Sequence, residues 1–319
     1  MIDTLDEFMS RDRSQKWLVQ NMIAQGELVM LFGESGIGKS FTAIDLALCV
    51  ASGQPCLGRG VSQGSVAYLP SEGFDGLQVR IKAWCAHRGM TTEGIPLHLG
   101  EHEMALNDPS EYEELADCLF SMHPIPKLIV IDTLTGMTKG LDQNSAKDMA
   151  AFADACKFLK LATNAAVLVV HHSGHKDKGR SKGAVDFWAA CDRVIAMKRT
   201  GRNDTLSLEC AKSRNGEPFD DIHVQLKRCE PAAVLVEAEK PEKPDTTVLT
   251  RGDRIFREVV GSRPIEETAA KAAFHEKYGK SPGANRNAWA RAYDKAVSMG
   301  LLEIDSEGLI CPCTHTAHK

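Results

Sequence analysis

The segment GESGIGKS, residues 33–40, has the residue types and spacing of a loop that binds phosphate groups. Its glycines let backbone N–H groups approach phosphate oxygens, and the positive end of a following helix favours their charge. An apolar strand-like run precedes the loop and an apolar helix-like run follows it, which is the context that the pattern requires. The alternative is a glycine-rich turn with a surface lysine. The pattern predicts a nucleoside triphosphate site.

Two side chains of this loop have predicted roles of their own. Lys39 reaches the β- and γ-phosphates, and the Ser40 hydroxyl is a ligand for Mg²⁺. The residues predicted to bind the nucleotide are Gly33, Glu34, Ser35, Gly36, Ile37, Gly38, Lys39, Ser40 and Phe41.

Carboxylates follow two further strand-like runs. Asp132 ends the apolar run KLIVID, where it can help to hold Mg²⁺, because ligands bind at the carboxyl ends of parallel strands. It could instead cap the next turn. Glu72 in YLPSEG is the candidate base that polarises the water attacking the γ-phosphate. A loop glutamate without such a role is the alternative, and Asp75 is a second candidate for the base.

Histidines end the next run, VLVVHH. One imidazole here can hydrogen-bond the γ-phosphate or the attacking water and move when that phosphate leaves. We assign this role to His172 rather than His171. A core or loop histidine is one alternative. A zinc site that includes His175 is another, although it lacks an acidic or cysteine partner at a recognisable spacing.

Seven short apolar runs must position these groups, and helix-like segments separate the first four of them. Those four are near-continuous and β-branched, which is typical of strands covered on both faces. The pattern predicts an α/β fold with a mainly parallel, helix-flanked sheet. The other three runs could continue the sheet as antiparallel strands. The runs are Glu27–Phe32, Ser65–Leu69, Lys127–Ile131, Ala166–Val170, Arg193–Met197, Thr205–Cys210 and Ile222–Leu226.

The composition is that of an ordinary globular protein, with 319 residues and 38 Lys+Arg against 43 Asp+Glu. This balance argues against binding nucleic acid through the whole surface, but it leaves room for a local basic groove. No apolar run spans a bilayer and the N-terminus does not resemble a signal peptide, so we expect a cytoplasmic protein without a membrane partner. We expect the ten cysteines to be reduced core residues.

Shifts in composition predict five regions. Residues 1–26 form an N-terminal arm and residues 27–229 form the nucleotide-binding core. Residues 230–250, rich in Pro, Glu, Lys and Thr, are expected to be a linker. Residues 251–310 form a small helical domain, and residues 311–319 are a tail.

The order of the motifs, GESGIGKS, PSEG, IVIDTL and VVHHSGH, resembles that of the RecA-like P-loop ATPases, and most of all the RepA-type replicative helicases of plasmids and phages. The resemblance covers residues 16–226. It implies a RecA-like core that binds ATP with Mg²⁺ between the subunits of a ring, commonly a hexamer. It also implies that Glu72 is the catalytic carboxylate, Asp132 the metal-side acid and His172 the γ-phosphate sensor.

Two basic segments gain a role from this resemblance. HKDKGRSKG, residues 175–183, matches the region that faces DNA in the central channel or supplies an arginine finger, for which Arg180 is the candidate. AKSRNGEP resembles the Lys-x-Arg-Asn-Gly segment of DnaB-type ring helicases, in which Lys212 and Arg214 would reach the neighbour's γ-phosphate. The alternatives are a solvated surface loop and a basic surface turn. The choice between Arg180 and Arg214 stays open.

The C-terminal region resembles a winged-helix domain. Its third helix would carry Arg286, Arg291 and Lys295 into the major groove of duplex DNA. The alternative is a domain that packs on protein. Four residues of the tail could hold zinc, although their spacing is compressed for a zinc finger. They are Cys311, Cys313, His315 and His318.

The resemblance implies an ATP-dependent DNA helicase or translocase of plasmid or phage replication, with single-stranded DNA in the channel of a homo-oligomeric ring. One alternative is a recombination ATPase that coats single strands. The other is a nucleotide-switched DNA-binding or helicase-loader protein.

Overall fold

The computed structural model describes residues 3–10, 14–71, 73–100, 104–138, 140–142, 145–172, 182–200, 205–240, 251–261, 264–279, 281–298, 302–304 and 309–312. The chain divides into two compact units, Met1–Pro241 and Glu242–Lys319.

The first unit alternates strands and helices through most of its length. Its helices are α1 (Leu5–Ser10), α2 (Lys39–Ser52), α3 (Phe74–Arg88), α4 (Pro109–Ser121), α5 (Ala146–Thr163) and α6 (Lys182–Ala190), with a 3₁₀ turn at Leu134–Met137. Its strands are β1 (Trp17–Val19), β2 (Ile23–Ala24), β3 (Leu28–Gly33), β4 (Val66–Pro70), β5 (Leu97–Leu99), β6 (Leu128–Asp132), β7 (Ala166–His172), β8 (Arg193–Arg199), β9 (Leu206–Ser213), β10 (Ile222–Cys229) and β11 (Ala232–Glu237).

The main sheet has the strand order β11-β10-β9-β8-β3-β7-β6-β4-β5. The six strands from β8 to β5 are parallel, and β9, β10 and β11 extend the sheet with antiparallel pairing. The predicted α/β class with a mainly parallel, helix-flanked sheet is confirmed.

Strand β8 differs from the prediction. The sequence suggested that the last three apolar runs could be antiparallel strands, but β8 runs parallel to β3, and of these three runs the two after it are antiparallel. The reason is α6, which lies between β7 and β8. A helix in the connection carries the chain back to the start of the sheet, so the next strand runs in the same direction.

Two apolar layers cover the two faces of the sheet. Along β3, Val29 and Leu31 face the layer that includes α2 and α3, whereas Leu28 and Met30 face the layer that includes α4 and α5. Burial on both faces explains why the central strands have continuous apolar sequences. The thiols of Cys49, Cys156 and Cys191 are buried and free, and Cys210 is half-buried.

The regions expected to be an arm and a linker contain parts of this unit. Leu18 and Ile23, within the expected arm, are buried in the core layer of α2 and α3, and β1 pairs with β2. β11 occupies the start of the expected linker, because AAVLVE is an apolar, β-branched run that pairs with β10. The Pro-, Glu- and Lys-rich composition begins only after this strand.

In its described residues the second unit has three helices and a three-stranded sheet, and its assignment as a winged-helix-type domain stays a prediction. Phe256, Phe274 and Trp289 form the centre of its core. The sheet order is β12-β14-β13. Its elements are α7 (Arg251–Val260), β12 (Ile265–Glu266), α8 (Glu267–Tyr278), α9 (Pro282–Ser298), β13 (Leu302–Ile304) and β14 (Leu309–Pro312).

None of the helices in the described part of the chain is long and apolar enough to cross a membrane.

Candidate nucleotide site

The phosphate-binding loop connects the central strand β3 with the first turn of α2. Gly36 and Gly38 have φ values of +73° and +108°, a backbone conformation that residues with a Cβ rarely adopt. At Gly33 a Cβ would lie 2.5 Å from the carbonyl oxygen of Met197 on β8. The loop therefore needs its glycines both for its conformation and for the close approach of two backbones.

Lys39 is buried beneath this loop. Its ammonium donates hydrogen bonds to the carbonyl oxygens of Gly33 at 2.9 Å and Glu34 at 2.7 Å, and Nζ lies 2.8 Å from Nδ1 of His172. Burial lowers the pKa of Lys39 to about 8, and the charge of Asp132 acts in the opposite direction. No carboxylate of the described residues lies within 4 Å of the ammonium. A buried cation with only neutral partners fits an anionic phosphate group.

Asp132 and Ser40 meet at the carboxyl end of β6. The Ser40 hydroxyl donates to Oδ1 of Asp132 at 3.1 Å, and the Tyr68 hydroxyl donates to Oδ2 at 2.6 Å. Burial, followed by the charge of Asp132, raises the pKa of Tyr68 well above its usual range, so that the phenol remains a donor. Hydroxyl and carboxylate oxygens are suitable ligands for Mg²⁺. Sequence reasoning missed Tyr68, which lies within the apolar run of β4 and gave no signal.

Ser71 joins the ends of β4 and β6. Its backbone N–H donates to the carbonyl oxygen of Asp132 at 2.7 Å, and its hydroxyl accepts from the N–H of Thr133 at 2.9 Å. A Cβ at Gly136 would lie only 2.1 Å from the Cβ of Ser71, so this join is tightly packed. Ser71 directly precedes Glu72 in the sequence. Glu72 itself lies outside the described residues, and its role as the base stays a prediction.

His172 and His171 lie at the end of β7 in different surroundings. His172 pairs in register with Gly33 and contacts Lys39, as a sensor beside the phosphates would need to. His171 is buried, and burial lowers its pKa to about 4, with smaller effects from the charges of His172 and Lys39. Its Nδ1 has no hydrogen-bond partner among the described residues. The geometry favours His172 over His171, and the sensor role stays a prediction.

Arg80 is a further side chain near the site that sequence reasoning missed. Its guanidinium carbon lies 4.6 Å from the centre of the Phe41 ring, at the start of α2. Its charge also acts on the pKa of Tyr68, which places it on the Asp132 side of the site. Arg80 is the seventh residue of α3, and a single arginine within a helix is not a recognisable sequence motif.

Comparisons with known proteins agree with this site. The profile of the AAA_25 family, described as an AAA domain, matches residues 2–178, which is more than half of the chain and includes the phosphate-binding loop, Asp132 and His172. The chain belongs to the AAA_25 family. It is therefore a P-loop ATPase of the RecA-like type, a family whose members bind a nucleotide, usually with Mg²⁺.

No curated protein sequence matches the chain. Among solved structures, the crystal structure of the RadB recombinase is similar, with a TM-score of 0.47 and 14% identity over 67% of this chain and 92% of that one.

Lys212 and Arg214, two further predicted site residues of this AAA_25 member, are not beside its own phosphate-binding loop. Gly33 pairs with Met197 at one end of β8, whereas Lys212 pairs with Val194 nearer the other end. Arg214 follows β9, and its backbone N–H donates to the carbonyl oxygen of Asp192, just before β8. Both cations therefore lie toward the amino ends of the parallel strands, at the end of the sheet opposite to the phosphate-binding loop. Arg180 lies outside the described residues.

The basic residues predicted on α9 differ in their surroundings. Arg286 and Arg291 are exposed, and Nε of Arg291 donates to the Asn287 carbonyl at 3.0 Å. Lys295 instead forms a partly buried ion pair with Asp253 at 2.8 Å. Its charge is therefore neutralised within the second unit. Of the four predicted zinc ligands only the backbone of Cys311, in β14, is described; Cys313, His315 and His318 lie outside the described residues.

Proposed function

We propose that this ATPase is a DNA helicase or translocase of the RepA type, which hydrolyses ATP at the subunit interfaces of a homo-oligomeric, hexameric ring. The observation that carries the proposal is the position of Lys212 and Arg214 at the sheet edge opposite the phosphate-binding loop of the same chain. Asp192, beside Arg214, lies five residues before Met197, or about 16 Å along the strand. Cations there cannot serve their own phosphates, but they suit the site of a neighbouring subunit.

In the proposed reaction each residue of the site has one task. Lys39 exchanges the carbonyl oxygens of Gly33 and Glu34 for phosphate oxygens and neutralises their charge. Ser40 and Asp132 hold Mg²⁺, which when bound neutralises further phosphate charge. Glu72 accepts the proton of the attacking water.

His172 is proposed as the sensor because its ring contacts the Lys39 ammonium, which we also expect to contact the phosphates. When Lys39 turns toward phosphate oxygens, the contact of 2.8 Å between its Nζ and His172 Nδ1 must change. Loss of the γ-phosphate would reverse that change. We propose that the basic segment 175–183, which follows β7 in the sequence, contacts single-stranded DNA.

A nucleotide-switched DNA-binding or loader protein is the second candidate. The exposed Arg286 and Arg291 on α9 favour it, because a winged-helix-type unit with such a face could bind duplex DNA by itself. In that case hydrolysis would be slow and indifferent to single strands. A recombination ATPase would use the same nucleotide site but would coat single strands without unwinding.

The test is the steady-state ATPase rate of the full chain with and without single-stranded DNA, followed by unwinding of a forked duplex. We expect strong stimulation by DNA and ATP-dependent unwinding. Lys39→Ala should abolish productive ATP binding, and Glu72→Gln should bind ATP without turning it over. Stimulation without unwinding would favour the recombination ATPase or a translocase. Slow hydrolysis that ignores DNA would favour the switch, and full turnover by Glu72→Gln would remove Glu72 from the reaction.

A further inference from the structure

The ammonium of Lys212 caps the end of α6. It donates to three carbonyl oxygens, those of Trp188 at 2.9 Å, Ala189 at 3.0 Å and Cys191 at 2.8 Å. An ammonium has three N–H groups, so all of its donors are used. The site is also electrostatically favourable, because the carboxyl end of a helix carries partial negative charge. To reach a phosphate Lys212 would have to leave three carbonyls without their donor.

Arg214 lies beside Lys212 but keeps part of its guanidinium available. Nη1 donates to Oδ1 of Asp192 at 3.1 Å and Nη2 donates to the Ala189 carbonyl at 2.7 Å. The side chain is 48% exposed. A guanidinium has five N–H groups in a rigid plane. The contacts therefore orient the plane and leave N–H groups that face solvent.

Asp192 connects this pair of cations with the rest of the sheet. Its Oδ2 accepts from the backbone N–H of Leu28 and from Lys160, both at 2.9 Å. Burial raises the pKa of Asp192, but the hydrogen bonds from Leu28 and Lys160 and the charges of Lys160 and Arg214 outweigh it, and the pKa is lowered. Asp192 is thus a fixed carboxylate, and its position determines where the Arg214 guanidinium lies.

We propose that Arg214 alone of the two cations acts on the neighbour's phosphate, and that Lys212 and Asp192 are positioning residues that hold it at the end of α6. The proposal rests on the proposed function, since it assumes an ATP site shared between subunits. It differs from the role that the resemblance gives to Lys212. Lys212 fixes the Ala189 carbonyl, and that carbonyl together with Asp192 fixes Arg214.

The test compares two matched variants, Lys212→Gln and Arg214→Gln, in the basal ATPase of the full oligomeric protein without DNA. Glutamine is shorter and keeps two N–H donors for the three carbonyls that Lys212 caps, but it has no charge to offer a phosphate. We expect Lys212→Gln to lose about 3- to 10-fold, because part of the capping and therefore most of the Arg214 orientation persists. Arg214→Gln should lose about 10²- to 10³-fold, as expected for a cation that stabilises the transition state.

Two further measurements distinguish a positioning role of these residues from an effect on folding. Asp192→Asn should lower kcat but leave the Kd of the nucleotide unchanged, because it disturbs only the side that serves the neighbour. Methylguanidinium in solution should restore part of the activity of Arg214→Ala. If Lys212→Gln does not fold, Lys212→Met, of similar length, replaces it and should stay within about 10-fold of wild type.

Equal losses of 10²-fold or more in folded Lys212→Gln and Arg214→Gln would overturn the division between the two cations. A wild-type rate in Arg214→Gln would remove Arg214 from the reaction. These outcomes are independent of the proposed DNA motor, because the basal rate is measured without DNA. A basal rate that DNA does not stimulate would contradict the motor and leave this comparison intact.

Discussion

The Lys39 side chain contacts two separate parts of the nucleotide site. Its ammonium touches the backbone at the start of the phosphate-binding loop and His172 at the end of β7. A charge held there by neutral groups is poorly compensated, which is why burial lowers its pKa to about 8. Binding of a phosphate would supply the missing negative charge. We therefore expect the same side chain to bind the phosphate and to link it with the proposed sensor.

Tyr68→Phe tests whether the Tyr68 hydroxyl holds Asp132 in place for Mg²⁺. The change removes the 2.6 Å hydrogen bond to Oδ2, so the carboxylate loses a fixed orientation. We expect half-maximal ATPase activity to need several-fold more Mg²⁺, and the free energy of unfolding to fall by about 1–3 kcal/mol. A Mg²⁺ titration and urea unfolding measure the two effects. Tyr112→Phe, whose ring packs on Phe158, is the matched control. An unchanged Mg²⁺ requirement in Tyr68→Phe would contradict the role.

His171 should make the protein less stable as the pH falls from 6.5 toward 4. The unfolded chain protonates this histidine near pH 6.5, whereas burial lowers the pKa of the folded state to about 4. Stability from the neutral ring is complete above pH 6.5, and it decreases as the unfolded state takes up the proton. The loss between pH 6.5 and 5 should be about 2 kcal/mol.

Urea unfolding at several pH values measures this loss. His171→Leu should show a shallower decrease than wild type, and His87→Gln, on the exposed side of α3, should not. Identical pH dependence in wild type and His171→Leu would show that His171 titrates normally.

At the scale of elements, β3 and α6 are in direct contact beside the site. The centre of the Phe32 ring, one residue before the phosphate-binding loop, lies 5.1 Å from the centre of the Trp188 ring, and the two ring planes meet at 69°. Trp188 is in the last turn of α6, where its carbonyl accepts from Lys212. Trp188 therefore contacts the residue before the loop through its ring and Lys212 through its carbonyl oxygen.

Trp188 should report nucleotide binding through its fluorescence. When Lys39 leaves the Gly33 carbonyl, the backbone next to Phe32 changes its surroundings, and the Trp188 ring senses this directly. We expect a change in tryptophan emission on addition of ATP to Glu72→Gln. The change should disappear in a Trp188→Phe background and persist in a Trp289→Phe background. Retention of the full signal without Trp188 would argue against contact between loop and helix during binding.

The sequence predicted those elements of the first unit that a single local sequence pattern determines. Continuous β-branched runs identify buried strands, and the loop pattern places Lys39 and Ser40 at the end of β3. The direction of β8 depended on α6, a short helix next to a glycine- and lysine-rich segment with weak periodicity. β11 was hidden because Pro231 and the charged residues after Glu237 dominate its surroundings. Tyr68, Arg80 and Asp192 act through tertiary contacts, which no local pattern records.

For the whole molecule, the second unit is proposed to add a duplex-binding surface to the ATPase. Exchange of both Arg286 and Arg291 for alanine should weaken the binding of duplex DNA by the full chain. The slope of log affinity against log salt concentration should become shallower by about one unit for each phosphate that is no longer bound. Fluorescence anisotropy at several salt concentrations measures both. Lys295→Ala should instead lower the stability of the unit, because its partly buried ion pair with Asp253 would be removed. Unchanged duplex affinity in the double variant would assign this face to another partner.

The most direct test of an ATP site shared between subunits is complementation in mixed rings. Lys39→Ala removes the phosphate-binding side of the site, and Arg214→Ala removes the side that we propose to come from the neighbour. Each variant alone should be inactive with single-stranded DNA and ATP. Random mixing in equal amounts should restore roughly a quarter of the wild-type ATPase rate. In about one interface in four, an Arg214→Ala subunit supplies the intact Lys39 side and its Lys39→Ala neighbour supplies the intact Arg214 side. No recovery in rings that are shown to contain both variants would contradict a shared site.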